Sequence, residues 1–358
     1  MRGILIPMDD SDRLTDEVAQ AIASNRPINI RGGDTKSFLA RCATPEAMTL
    51  DTRSHSGIVR YDPSELVMTA RAGTPMSEVS KVLDAAGQML PCEPPEFSGS
   101  ATLGGVVASG LSGPRRPWSG SVRDFMLGCR LITGRGKHLR FGGEVMKNVA
   151  GYDMSRLAAG SFGCLGVITE VSIKVLPKPR ARRSIVLELA ASEAMVELSR
   201  WRRTALPITG ACYLDGRLHV RLEGGEGSVQ SALDRIGGDA LDMSFWTALR
   251  ERELPFFGDP RTLWRLSLPN ATPLMSLPGD AALDWGGAQR WLKTSASSTE
   301  IRWIAHGAGG HATRYGPPDT TVNPFAPLAE PLVRLHRELK KRLDPHGVFN
   351  PGRLYADV

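Results

Sequence analysis

Cysteine is scarce in this sequence, and its positions lie far apart with no C-x-x-C pair. Iron–sulfur clusters and structural zinc sites need clustered thiolates, and a disulfide framework needs a dense, even set. We therefore predict no metal site and expect buried free thiols. The cysteines are Cys42, Cys92, Cys129, Cys164 and Cys212.

Long apolar runs are also missing. No run approaches the ~18 residues of a membrane-spanning helix, and the opening MRGILIPMDDSDRL turns acidic too soon for a signal peptide. We expect a cytoplasmic protein with at most peripheral membrane association.

Lys and Arg exceed Asp and Glu by 44 to 38, giving a net charge of +6. The charge is scattered without interleaved aromatics, so we expect an anionic cofactor and no nucleic acid.

The common nucleotide-binding motifs are absent. Around Gly136 and Lys137 a Walker A loop would need glycine at Leu131 and Ser or Thr at His138. The first predicted strand is not followed by the Rossmann G-x-G-x-x-G. Any bound dinucleotide must therefore be held in another way.

The patterning that is present predicts an α+β protein. The segment LPKP at 176–179 indicates a boundary between a glycine-punctuated first part and a second α+β part. In the second part we predict strands at IVLELA, TLWRLSLP and EIRWIAHG, a hairpin around Asp215, and helices at 192–205, 228–236 and 281–293. A last helix places Leu332, Leu335, Leu339 and Leu343 on one stripe.

Three glycine-dense segments lie in the first half: IRGGDTK (30–36), SGSATLGGVVASGLSG (98–113) and GSFGCLGVITE (160–170). Glycine lets main-chain N–H groups approach a phosphate without a Cβ in the way. Each segment alone is equally typical of tight turns in a β-rich domain. The three together, in this order, favour a pyrophosphate site.

Four segments, in order, carry a family resemblance: RGGDTK, PPEFSGSATLGGVVASGLSG, SVRDFMLG and KNVAGYDMSRLAAGSFGCLGVITEVSIKVLPKP. Over about residues 15–180 they resemble the FAD-binding domain of the vanillyl-alcohol oxidase and p-cresol methylhydroxylase (PCMH) flavoprotein family. The ending LDPHGVFNPGRLY resembles the 2-hydroxy-acid dehydrogenase branch. The short second domain and HGAGGHATRYG most resemble the FAD-binding subunits of bacterial glycolate oxidases.

This resemblance implies a fold and its division. A two-subdomain PCMH-type FAD-binding domain would span residues 1–177, and a reduced α+β cap domain would span 178–322. A C-terminal helix and closing segment, 323–358, would return to the flavin domain.

The resemblance also implies FAD, bound noncovalently because the loop 31–35 contains no histidine. Ser98 and Thr102 would donate hydroxyls to the pyrophosphate, while Gly104 and Gly105 would allow close approach. Asp34 stands where the family often has glycine. The implied FAD-binding residues are Arg31, Gly32, Gly33, Asp34, Thr35, Pro95, Ser98, Ala101, Thr102, Gly104, Gly105, Ala108, Ser109, Gly113, Ser119, Val122, Arg123, Asp124, Lys147, Tyr152, Asp153, Gly163, Gly166, Val167, Ile168 and Asn350.

Some cations keep two interpretations. Lys147 is either a flavin contact or a solvated surface lysine. Arg115, Arg116 and Arg123 are candidates for the cation that a reduced flavin needs near N1, and Arg115 and Arg116 are equally compatible with an ordinary surface loop.

Oxidation of a 2-hydroxy acid needs a cation for the substrate carboxylate and a base for the hydroxyl proton. The candidates are His306, His311 and Arg314 in HGAGGHATRYG. A spacing of five does not place both histidines on one helical face, and no acidic residue accompanies them. Two incidental histidines in a flexible loop are the alternative.

The resemblance therefore implies an FAD-binding subunit of a multisubunit glycolate oxidase, which oxidises glycolate to glyoxylate and passes electrons to a non-oxygen acceptor. A longer FAD subunit and an iron–sulfur subunit would be its partners. One alternative is a self-sufficient FAD-dependent D-2-hydroxy-acid dehydrogenase of the D-lactate type. Another is a noncatalytic assembly module that has lost the cofactor.

Overall fold

The computed structural model describes residues 8–41, 44–143, 153–316 and 322–356. Cys42, Lys147 and Tyr152 lie outside these ranges. The α-helices are α1 (Ser11–Ala23), α2 (Met76–Ala85), α3 (Leu103–Ser109), α4 (Arg116–Ser119), α5 (Val122–Phe125), α6 (Met154–Ala158), α7 (Ala191–Trp201), α8 (Glu226–Ile236), α9 (Ser244–Glu251), α10 (Ser298–Gly307) and α11 (Glu330–Leu343).

The strands form four sheets. They are β1 (Ile28–Arg31), β2 (Met48–Asp51), β3 (Ile58–Asp62), β4 (Val67–Arg71), β5 (Gln88–Met89), β6 (Met126–Ile132), β7 (His138–Gly142), β8 (Val167–Lys174), β9 (Leu176–Pro177), β10 (Ala181–Glu188), β11 (Ile208–Leu214), β12 (Arg217–Gly224), β13 (Asp239–Ala240), β14 (Thr262–Ser267), β15 (Asp280–Asp284), β16 (Gln289–Thr294) and β17 (His311–Tyr315).

The first part of the chain, up to β9, contains two main sheets, and we call this part the flavin half. A parallel pair, β1–β2, is covered by α1, and a five-stranded antiparallel sheet has the order β3-β4-β8-β6-β7. Alternate strand residues such as Met68, Val171 and Ile173 pack on Val79 of α2 and Leu103 of α3. This packing fixes α3 and the loop before it against the sheet.

The end of the chain returns to the flavin half. Phe349 is fully buried with Leu14, Ile28 and Val167, and it forms a parallel bridge with Ile28 at the start of β1. The predicted α+β architecture with a tail that returns to the first part of the chain is thus confirmed.

The second part of the chain forms one eight-stranded antiparallel sheet, which we call the cap sheet, in the order β13-β10-β12-β11-β15-β16-β14-β17. One face carries residues such as Val220 and Leu266, which pack on α7, α8 and α10. The other face carries Cys212, Trp291 and Tyr315, which pack on α9 and on residues of the flavin half. Strand alternation thus directs one set of side chains toward the flavin half.

Two predicted elements of the cap sheet are wrong. Residues 281–293 form the hairpin β15–β16 instead of a helix, because Gly286 and Gly287 adopt positive φ and reverse the chain. EIRWIAHG is helix α10 instead of a strand. Ser297 caps this helix, since its Oγ accepts a hydrogen bond from the Glu300 N–H.

The remaining long elements agree with the sequence pattern. The predicted last helix is α11, although its leucine stripe is only partly covered, with Leu335 62% exposed. Cys92, Cys129, Cys164 and Cys212 are buried free thiols, as expected. Among the described residues, no helix combines the length and apolar character needed to cross a bilayer.

Candidate functional site

The first glycine loop and one side of α3 enclose a cavity of about 100 Å³, which we call the loop cavity. Its walls include many of the residues predicted to bind FAD: Arg31, Gly32, Gly33, Asp34, Thr35, Thr102, Gly105, Ala108, Ser109 and Asn350. The structure therefore brings together residues of the first loop, of α3 and of the C-terminal segment.

The two glycine segments pack directly on each other. A Cβ on Gly33 would lie 1.8 Å from the Ser100 carbonyl oxygen, and a Cβ on Gly32 would lie 2.6 Å from Thr102 Oγ1. Ser100 Oγ also donates a hydrogen bond to the Gly33 carbonyl at 3.2 Å. Only glycine permits this approach, so the first loop is held against the start of α3.

The glycines of α3 have different roles. A Cβ on Gly104 would lie 2.6 Å from Ala72 Cβ, so this glycine permits helix–strand packing and not, as predicted, close approach of a ligand. A Cβ on Gly105, by contrast, would meet only Thr102 Oγ1, at 3.2 Å, and Gly105 lines the loop cavity. Thr102 caps α3 by accepting the Gly105 N–H at 3.3 Å.

Asp34 carries a negative charge into the loop cavity. Its φ of 59° is the left-handed conformation that favours glycine. The Asp34 carboxylate forms an ion pair with Arg31 Nη2 at 2.9 Å. This ion pair offsets the negative charge of Asp34, but it also engages Arg31, the arginine of the first loop.

The C-terminal segment completes the loop cavity. Asn350 Oδ1 accepts the Ile30 N–H at 2.8 Å, and its Nδ2 donates to the Phe162 carbonyl at 2.6 Å. A Cβ on Gly163 would lie 2.7 Å from Asn350 Nδ2, which explains a glycine there without a cofactor contact. Asn350 thus links the first and third glycine segments.

Two cations in the loop cavity were missed. Arg353 donates hydrogen bonds to the carbonyls of Arg41 and Ser37. Lys36 is buried, burial lowers its pKa to about 8, and its Nζ donates to Thr35 Oγ1 at 3.0 Å. Both lie within quoted motifs, RGGDTK and FNPGRLY, but composition alone gave no reason to select them.

A larger cavity of about 450 Å³ lies between the flavin half and the cap sheet, and we call it the inter-sheet cavity. Ser109, Gly110 and Ser112 form its wall at the C-terminal end of α3. Ser109 also lines the loop cavity. Ser109 therefore lies between the two cavities.

The inter-sheet cavity is rich in cations. It is lined by Arg116 and Arg123 from the flavin half and by Arg265 and His311 from the cap sheet, and no acidic residue is among its described walls. Burial, with nearby Arg265, lowers the pKa of His311, so this histidine is neutral near pH 7. The cavity therefore suits a group that carries or develops negative charge.

Arg265 is a residue that the sequence interpretation missed. It lies in β14, within a segment predicted only as a strand, and register pairing places it on the same sheet face as His311. Its Nε is buried without a hydrogen-bond partner. The sequence signal that could have identified Arg265 was a single arginine within an otherwise apolar strand pattern.

The predicted catalytic residues do not come together. His311 lines the inter-sheet cavity, His306 lies on α10 away from it, and both histidines are exposed to solvent. Arg314 follows His311 by three residues in β17 and therefore lies on the opposite face of the sheet. Only one member of the predicted set reaches the cavity.

Other predicted cofactor residues line neither of these cavities. Pro95 and Gly113 line a small separate cavity, Ser98 is exposed, and the Ala101 carbonyl accepts the Met76 N–H. Ser119 Oγ donates to the Pro91 carbonyl, and Val122 is in the core. The rest serve local structure. Asp124 caps α5, and Asp153 caps α6. Val167 and Ile168 lie in β8 and pair with β6, and Gly166 directly precedes β8.

Arg115 has neither of its predicted roles. Its guanidinium is buried between Glu93 and Glu223, and Arg221 joins the same network through Glu93 at 2.9 Å. Burial raises the pKa of Glu223, but Arg221 and Arg115 outweigh it and hold the pKa below its ordinary value. The network joins the flavin half to the cap sheet.

Comparisons with known proteins identify the family of this chain. Residues 4–142 match the family model described as FAD binding domain. The chain is 58% identical over 350 residues to glycolate oxidase subunit GlcE of Escherichia coli, covering 98% of this chain and 99% of that protein. This chain belongs to the GlcE family.

More distant relatives share part of the chain. Glycolate oxidase subunit GlcD of Bacillus subtilis is 30% identical over 178 residues, covering 49% of this chain and 38% of that protein. Among solved structures, alkyldihydroxyacetonephosphate synthase superposes with a TM-score of 0.69 at 17% identity, covering 96% of this GlcE-family chain and 76% of that chain. This structural likeness supports the fold.

Proposed function

We propose that this chain is the FAD-binding subunit of a multisubunit glycolate oxidase, which oxidises glycolate to glyoxylate and passes the electrons to a non-oxygen acceptor. The observation that carries the proposal is the 58% identity to GlcE across nearly the full length of both chains. The cavity geometry is consistent with it, since it offers a glycine-lined phosphate end and a cationic far end.

The loop cavity fits the linked phosphates of FAD. Gly32 and Gly33 let the first loop pack on Thr102 and Ser100 and so form one wall of the cavity, and Gly105 leaves the α3 side open. Main-chain N–H groups, Thr35, Lys36 and Arg353 line the cavity there. We propose that they hold FAD noncovalently, with no histidine in the loop 31–35 to form a link.

Bound FAD supplies the two-electron acceptor for oxidation of an alcohol carbon. The chain's own contribution at the inter-sheet cavity is charge: Arg116, Arg123 and Arg265 stabilise negative charge on a ligand there. His311, neutral near pH 7, is the residue placed to accept a proton. We propose these roles in place of the predicted set of His306, His311 and Arg314.

We propose that a longer FAD subunit and an iron–sulfur subunit are the partners of this chain, in a cytoplasmic complex with at most peripheral membrane association. The sequence offers no clustered cysteines to bind an iron–sulfur centre of its own. An iron–sulfur centre that accepts electrons from the flavin would therefore be held by another polypeptide. We also propose the division into a flavin domain (1–177), a cap domain (178–322) and a closing segment (323–358), because the cap sheet begins at Ala181.

Complementation tests the proposal directly. The full chain is expressed in an Escherichia coli strain that lacks GlcE, and glycolate-dependent reduction of an artificial electron acceptor is measured in extracts. We expect activity to return with this chain and not with its Gly33→Ala variant, while Gly99→Ala serves as the control because a Cβ at Gly99 meets nothing within 4 Å.

The isolated chain provides the second arm of the test. We expect the purified chain to bind FAD but to oxidise glycolate poorly without partners. Efficient turnover by the isolated chain would contradict the subunit assignment, and so would a soluble, FAD-loaded chain that restores no activity in the strain.

A further inference from the structure

A small cavity lies at the seam between the cap sheet and the flavin half, separate from the loop cavity and adjoining the inter-sheet cavity. Its volume is about 20 Å³, enough for one water molecule or one monatomic ion. Arg252, Arg265, Asp284 and Trp291 line it from the cap side, and Gly113 lines it from the flavin half. We call it the seam cavity.

Unpartnered donors concentrate at the seam cavity. Arg252 Nε, Arg265 Nε and Trp291 Nε1 are all buried without a hydrogen-bond partner, and all three residues line this one cavity. Trp291 Nε1 approaches Asp284 without the geometry of a hydrogen bond. Buried polar groups are rarely left unpaired, so three donors at one small cavity indicate a missing acceptor.

The seam cavity also carries uncompensated positive charge. The Arg252 guanidinium lies 3.8 Å from the centre of the Tyr315 ring and 4.7 Å from that of Trp291, so aromatic rings replace water around it. In the described part of the chain, neither Arg252 nor Arg265 forms an ion pair with a carboxylate. The nearby Glu251 is occupied by Arg250 and by the N–H groups of Glu96 and Phe97.

Asp284 does not supply the missing charge. Its Oδ1 accepts the Trp285 N–H at 2.7 Å, and its Oδ2 accepts Gln289 Nε2 at 2.9 Å. Burial raises the pKa of Asp284 to about 7, so the carboxyl group is partly neutral at physiological pH. Two guanidinium groups in a dry site therefore lack a full counter-charge.

We infer that Arg252, Arg265 and Trp291 form a binding site for a single monatomic anion of the chloride class at the seam of the two halves. The cavity volume excludes polyatomic organic anions, and the donors are two cationic N–H groups and one indole N–H. The bound anion completes the contact between cap sheet and flavin half. The site shares Arg265 with the inter-sheet cavity of the proposed function, but Arg252 and Trp291 line the seam cavity and not the inter-sheet cavity, and anion binding there requires neither FAD nor glycolate.

Bromide replaces chloride and can be located by its anomalous scattering. Crystals of the FAD-loaded full chain are grown with sodium bromide, with sodium gluconate as the control salt, whose anion is too large for the cavity. We expect one bromide peak within hydrogen-bond distance of Arg252 and Arg265. Absence of that peak at saturating bromide would overturn the inference. Displacement of the peak by added glycolate would also overturn it, because a substrate oxygen would then occupy the site.

Thermal unfolding gives a second readout that does not require crystals. At constant ionic strength, we expect the unfolding midpoint to rise and saturate with chloride or bromide but not with gluconate. In the Arg265→Gln and Arg252→Met variants, the unfolding midpoint should no longer rise with chloride or bromide. Arg261→Gln, which removes a half-buried arginine paired with Asp259 and Asp280 just before β14, should keep this rise. An equal increment in all variants would contradict the site.

Discussion

The flavin half and the cap sheet differ in how their function is encoded. In the flavin half, ligand-facing positions lie in short contiguous segments, and Gly32 and Gly33 contact the loop of Ser100 because no Cβ intervenes. In the cap sheet, Arg265, Asp284 and His311 come from separate strands and meet only through the register of the sheet. Contiguous motifs reveal a cofactor loop, whereas a charged sheet face becomes visible only after folding.

The largest expected effect tests the junction between the two halves. Arg221→Met removes the central arginine of the network with Glu93 and Glu223, leaving buried carboxylates with less positive charge. We expect a loss of about 3 kcal/mol in the free energy of unfolding, measured by urea denaturation. Arg217→Met, which breaks an exposed pair with Glu188, should cost about 0.5 kcal/mol or less. Equal losses in the two variants would contradict the role of the network.

The next effect tests the flavin half alone. In Gly33→Ala the new Cβ must displace the Ser100 carbonyl, at a cost of about 2–3 kcal/mol. We expect FAD affinity to fall by about tenfold or more, measured by fluorescence titration of the apoprotein. Gly99→Ala is the matched control within the partner loop and should bind FAD like the wild type. Unchanged affinity in Gly33→Ala would show that the loop contact is dispensable.

The third effect tests the cap sheet through pH. Burial raises the pKa of Asp284 from its ordinary 3.8 to about 7 in the folded chain, so the folded state binds more protons between these values and stability falls as pH rises through them. Asp284→Asn removes this dependence and should be more stable than wild type at pH 8, by on the order of 2 kcal/mol, with no advantage near pH 4. Denaturation in gluconate buffers from pH 4 to 8 measures it. Parallel stability curves would rule out the raised pKa.

The smallest expected effect refines the phosphate loop. Asp34→Gly relieves a left-handed backbone conformation and frees Arg31 from its ion pair. We expect FAD to bind about fivefold more tightly, a change of about 1 kcal/mol. Asp34→Asn removes the charge but keeps a side chain, so it separates electrostatics from backbone strain. Weaker FAD binding in both variants would instead assign Asp34 a direct role in holding the cofactor.

The sequence predicted the flavin half well for a physical reason. Gly32 and Gly33 are required by close approaches within short loops, and such requirements remain visible in local composition. Asn350 could be placed there only through the family resemblance, because more than 300 residues separate it from Ile30, whose N–H it accepts.

The cap sheet was harder to predict because tertiary context overrides local pattern. The apolar residues of 281–293 suit a helix as well as two strands, and the turn at Gly286 and Gly287 decides between them. The Ser297–Glu300 capping pair was the signal for α10 that the strand assignment passed over. Arg265 and Arg252 carry no motif, and only strand pairing and the cap of α9 bring them to one cavity.

The identity of the ligand on the purified chain tests the central claim most directly. The full-length protein is denatured, and the released small molecules are identified by mass spectrometry and quantified by absorbance. The account predicts intact FAD, released without covalent attachment and close to one per chain. A colourless protein that takes up no added FAD would contradict it.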